Sequence, residues 1–110
     1  MTLEKNDKYT VVIPNLKSSF SEFHKELLEN YTKYSYDNVI IDLSKTDITL
    51  NDFEIFETIS EKQTLNGTSF VIINARYNVD ELPETLIVVP SFQEAIDMVE
   101  MDEMTRDLDF

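Results

Sequence analysis

The chain has 110 residues, 42% of them apolar and 28% charged, with one glycine, one histidine and no cysteine. That suits a single folded domain and excludes disulfides, thiolate nucleophiles, cysteine-ligated zinc and glycine-rich phosphate loops. Twenty-two acidic against nine basic residues give a net charge of −13, which opposes direct binding to nucleic acid or an anionic membrane and favours a protein partner with a basic surface.

No apolar run approaches the length needed to cross a bilayer. The opening residues, MTLEKNDKYT, lack the apolar core of a secretory signal. With the absence of cysteine, the expected location is the cytoplasm.

Tyr9–Ile13 is a short β-forming run closed by Pro14, the pattern of an edge strand. Ser19 and Glu22 stand at capping-box spacing. Phe20, Phe23, Leu27, Leu28, Tyr31 and Tyr34 then recur at helical spacing, predicting a first helix of about four turns. Asn38–Leu43 is almost continuously apolar, as in a parallel strand covered on both faces. After a polar loop, Asn51 and Glu54 repeat the capping-box spacing, with Thr49 the alternative cap, and Phe53, Phe56 and Ile59 line a second helix. Gly67 follows where a helix wants a left-handed residue.

Ser69–Asn74 and Leu86–Val89 read as further apolar strands, with one helical turn at Asp80–Pro83 between them. Ser91 and Glu94 open a third helix. The alternation predicts an α/β fold in one domain, residues 1–110: a four-stranded, mostly parallel sheet with an edge N-terminal strand, and three main helices. Residues 101–110 read as an extension of the last helix.

Order and spacing over residues 9–100 resemble the STAS domain of anti-sigma factor antagonists. The matching pieces are Asp42-Leu43-Ser44, the helix after Asn51, Gly67, the strands Phe70–Ile73 and Leu86–Val89, and Glu94-Ala95-Ile96. The resemblance implies a regulatory protein-binding module with a phosphoacceptor serine at the start of the second helix. Setting Phe53 and Phe56 on the family's core-facing positions places Thr49–Asp52 on that motif, so Leu50 and Asn51 stand at its serines and Asp52 at its glycine. Thr49 is a displaced acceptor at best. The C-terminal half is also similar to short bacterial proteins that automatically receive the label ribonuclease Z. A chain with one histidine cannot form that enzyme's two-zinc centre, so this likeness implies at most an accessory factor of a tRNA-processing nuclease.

No catalytic, metal or cofactor set is expected. His24 has no partner at a recognisable spacing, and Asp97, Glu100, Asp102 and Glu103 read as a solvated acidic helix face. Ser44, Thr46, Asp47, Thr49, Asn51 and Asp52, in the loop after the second apolar strand, are candidate interaction residues. Each also has a structural use in turns and helix caps. A small-ligand site at the carboxyl ends of the strands is the alternative, with Asp42, Asp47 and Asp52 converging on the ligand. In the last helix Phe92, Ala95, Ile96 and Val99 share one face, and Met101, Met104 and Leu108 form a second apolar set pointing the other way. A straight helix cannot bury both on one sheet. Either the tail folds back, with Phe110 tucked into the domain, or Met101, Met104 and Leu108 meet a partner, a second copy of the chain included.

Overall fold

The computed structural model describes residues 1–108. Five strands form one sheet in the order β1 (Thr2–Lys5), β2 (Thr10–Ile13), β3 (Val39–Asp42), β4 (Phe70–Ile73), β5 (Ile87–Val89). β1 is antiparallel to β2, and the remaining neighbours are parallel. The mostly parallel α/β sheet expected from the sequence is present, with a fifth strand. Tyr9–Ile13 is therefore not the edge. β1 covers it, and the polar composition of Thr2, Glu4 and Lys5, exposed in the structure, hides that strand from a search for apolar runs. Pro14 falls one residue past the ladder, where its missing N–H is not needed.

Side-chain alternation sorts the sheet into two faces. The row Leu3, Val12, Ile41, Ile72, Val88 runs across all five strands on one side, and Val11, Ile40, Val71, Ile87 run on the other. The first row packs with Phe23 and Leu27 of α1 (Phe20–Glu29) and with Phe56 and Ile59 of α2 (Ile55–Leu65). The second packs with Ala95 and Val99 of α3 (Phe92–Leu108). β3 and β4 are thus covered twice, which explains their lack of polar alternation.

The capping box at Ser19 and Glu22 is formed. α1 is shorter than expected, because Asn30 turns its side chain back to the Glu26 carbonyl (2.8 Å). A 3₁₀ turn at Tyr31–Lys33, with Tyr34 as its C-cap, places the remaining aromatics, and Leu28 is left exposed. Before α2 comes a 3₁₀ turn, Leu50–Glu54, capped by Thr49 rather than Asn51. After α2, Gly67 takes φ +76°. The Thr68 N–H reaches Gln63 O and the Gly67 N–H reaches Thr64 O, both at 3.0 Å, completing a Schellman motif.

Gln63 is a buried polar residue that apolar patterning does not flag. It accepts from the Tyr31 hydroxyl (3.0 Å) and donates to the Asp37 carbonyl (2.8 Å), tying α2 to the chain entering β3. Gln63 itself is fully buried, and replacing it with Met takes the partner from both half-buried groups. Gln63→Met should lower unfolding free energy by about 1 to 3 kcal/mol in urea titrations, whereas a value within error would mean that water reaches this site.

Tyr34 is fully buried and donates to the Leu27 carbonyl. Burial, and secondarily Tyr31, pushes its phenol well above the ordinary 10.0. The folded state therefore holds a proton that the unfolded chain releases first. Its contribution to stability is complete below pH 10.0 and declines as pH rises from there toward the folded-state value. Urea midpoints should fall above that pH, and less steeply in Tyr34→Phe. Parallel slopes for the two proteins would exclude Tyr34 as the source.

Candidate interaction surfaces

The loop after β3 is built by local bonds. Asp42 Oδ1 accepts from the Ser44 N–H (3.0 Å) and the Ser44 hydroxyl (2.6 Å), a side-chain turn that ends the strand. The Leu43 carbonyl accepts from the Thr46 N–H (3.2 Å) and from the Asn74 amide beyond β4 (3.3 Å). Asp47 pairs with Arg76. Ile48 is buried, and its carbonyl accepts from the Tyr77 hydroxyl (2.9 Å). The Thr49 N–H donates to Asp52 Oδ2 (2.9 Å), placing a carboxylate at the start of the following helical turn.

Asn74, Arg76 and Tyr77 thus pin the loop, and sequence reading missed all three because the contacts span about thirty residues. Their only signal is the polar run that follows β4. Asp42, Asp47 and Asp52 do not converge: one holds Ser44, one meets Arg76 and one caps the helical turn. Among the described residues no group of three or more His, Cys, Asp or Glu side chains could hold a metal ion. A cleft of about 350 Å³ lies beside the loop, lined by Pro14, Leu16, Ser19, Phe20, Lys45 and Thr46 among others. Ser44, Asp47, Thr49 and Asn51 face solvent, while Thr46 and Asp52 are half-buried. Leu50, 38% exposed, is the apolar residue at the tip.

α3 runs unbroken to Leu108, and its second apolar stripe is not buried. Met101, Met104 and Leu108 are 60%, 64% and 84% exposed, and Phe110 lies outside the described residues. The inner side of this half-helix is polar. Asp102 accepts from Ser69 Oγ (2.8 Å), Glu103 accepts from Asn38 Nδ2 (2.7 Å), and Arg106 donates to Asn38 Oδ1 (3.2 Å) and Ser69 Oγ (3.3 Å). Asp102 and Glu103 are therefore half-buried anchors, not part of a freely solvated face. His24 is half-buried on α1, and no hydrogen bond among the described residues engages its ring.

Asn38 and Ser69 immediately precede β3 and β4, so the tail of α3 lies where these strands begin. Ser44–Asp52 follows the end of β3, and α3 is on the opposite sheet face from α2. The nine candidate residues do not form one surface. They form two, at opposite ends and on opposite faces.

The sequence matches no family model and no curated protein. Solved structures that share its fold include the following two. The protein TM1081, solved by NMR, superposes with TM-score 0.61 at 14% identity, covering 89% of this chain and 86% of that one. A serine-to-glutamate variant of RsbS from Moorella thermoacetica gives 0.60 at 22% identity, covering 96% and 97%. The fold is STAS-like. No helix among the described residues is long and apolar enough to cross a membrane.

The loop contacts differ in expected weight. Tyr77→Phe strands the buried Ile48 carbonyl and should cost about 1 kcal/mol. Asp47→Ala removes an exposed ion pair and should cost about 0.5 kcal/mol or less. Thermal or urea unfolding gives the order, and a larger loss for Asp47→Ala would show that the ion pair, not Tyr77, holds the loop.

Proposed function

We propose that the chain is a non-enzymatic, cytoplasmic protein-binding module that uses the Ser44–Asp52 loop as a preformed contact surface for a partner with a basic face. The observation that carries this reading is the local engagement of the loop's polar groups. The three carboxylates are bound to their own loop or to Arg76, which leaves a fixed shape with Leu50 at its tip and no reactive constellation. Support also comes from the fold of RsbS, a STAS-domain anti-sigma factor antagonist.

The module works without the serine switch that the family resemblance implies. Leu50 and Asn51 offer no hydroxyl. Ser44 Oγ is bound to Asp42. A phosphate on Thr49 would stand beside the Asp52 carboxylate that its own N–H already binds, a like-charge contact. The small-ligand alternative retains the cleft beside the loop, lined by Lys45 and by Asp47, whose carboxylate is already paired with Arg76. No feature of the site favours the nuclease-accessory alternative.

Affinity capture from the native lysate tests the reading with three baits: wild type, phosphatase-treated wild type and Leu50→Arg. The expected result is a partner retained equally by the first two and lost from the third, with retention weakening as salt rises. Dependence on phosphatase treatment would restore a phospho-switch, and equal retention by Leu50→Arg would move the contact away from the loop.

A further inference from the structure

We propose that the outward face of the last two turns of α3 is a second docking site, for a basic amphipathic helix of a partner protein, independent of the Ser44–Asp52 loop. This rests on reading the chain as a binding module, though not on the loop being a contact.

The first observation is a mismatch of lengths. α3 has 17 residues, or about 25 Å of helix, whereas β3 and β4 have 4 residues each, about 13 Å. The helix overhangs its sheet. Its buried apolar residues are Ala95 and Val99, and beyond them Asp102, Glu103 and Arg106 hold the inner side by polar bonds. Among the described residues the outer side thus has no role in the fold, and a solvent-facing stripe with no such role is ordinarily polar. Here it carries Met101, Met104 and Leu108, all more than half exposed. Met adapts its shape to a partner more readily than branched residues do.

The second observation is charge, which selects the occupant. Asp97, Glu100 and Asp107, all exposed, border the stripe at helical spacing. Arg106 is turned inward onto Asn38 and Ser69, and Lys8 meets Glu100 only at the margin (3.8 Å). From Asp80 onward the sequence has ten acids and one base. Pairing two copies of this face would set carboxylates against carboxylates at close range, with a net charge of −13 on each chain. A helix with an apolar stripe flanked by Lys or Arg satisfies both the Met-Leu face and its acidic border, the helix-on-helix form of recognition.

The probe is a synthetic helix of about five turns with a leucine stripe flanked by lysines, measured by fluorescence anisotropy against the full chain. Controls are the same stripe flanked by glutamates and a lysine-rich peptide of scrambled order. Expected is binding of the first peptide alone. The uncharged pair Met101→Gln/Met104→Gln should weaken it by about tenfold or more, and Leu50→Arg should leave it unchanged. Circular dichroism melts should show both variants folded, since the substituted side chains are exposed. Equal binding of the scrambled peptide, or of the Gln pair, would reduce the effect to attraction by net charge and overturn the proposal. No binding of the first peptide would overturn it as well. So would a wild-type dimer in sedimentation that the Gln pair dissolves, which would make a second copy the occupant. Loss of loop binding in Leu50→Arg with this site intact would separate the two surfaces.

Discussion

The parallel pairing of β2, β3, β4 and β5 governs the rest of the molecule. Strands that all run one way need a connection returning from end to start, and here helices on the two faces supply that direction. Every loop that follows one of these four strands then gathers at one end, and every α-helix finishes at the other. Covering β3 and β4 on both faces finishes the core, since Ile40, Ile41 and Ile72 are wholly excluded from solvent. It also places α3 alone on its face, with no neighbouring helix to meet its outer side.

Two polar residues at the starts of the strands turn that arrangement into a fixed one. Asn38 uses its side-chain oxygen to accept from the Ser69 N–H (2.9 Å) as well as from Arg106, and its amide to reach the Lys8 carbonyl and Glu103. It joins the chain entering β2, β3 and β4 to the tail of α3. Such a node is demanding, because each member left unpaired in a half-buried place costs more than the bond it makes. Its presence at the overhang explains how α3 continues past Val99 to Leu108 over a polar rather than an apolar inner side.

Much of the fold could be read from residue pattern, for reasons that are local. Ser19 with Glu22 and Ser91 with Glu94 satisfy orphan amides within one turn, and Gly67 supplies a left-handed φ immediately after α2. The apolar runs of β3 and β4 announce a doubly covered sheet. What escaped is non-local or polar. β1 pairs by backbone and carries Glu4 and Lys5, so composition conceals it. Gln63 lies on the helical stripe of Phe56 and Ile59, yet as an amide it counts as surface until Tyr31 and Asp37 are seen beside it. The candidate interaction residues lie in two segments whose spatial relation is not written in either. Placing a loop and a helix tail relative to each other requires the sheet order and direction, which neither segment encodes.

Separation of the two surfaces has a mechanical consequence. The loop is pinned through Asn74, Arg76 and Tyr77, and the tail through Asn38 and Ser69. The loop contacts sit at the end of β4 and Ser69 at its start, with the fully apolar strand Phe70–Ile73 between them. A packed β4 resists small displacements, because shifting one of its side chains opens voids on both faces. Binding at one end therefore has no soft element through which to alter the other, and coupling between sites needs an element with two stable arrangements. With the two docking surfaces proposed above, a domain built this way suits holding partners at a fixed separation better than relaying a signal between them. That agrees with the proposed reading of the loop as a preformed contact: its polar groups are held by Asp42, Arg76 and Asp52 in one arrangement.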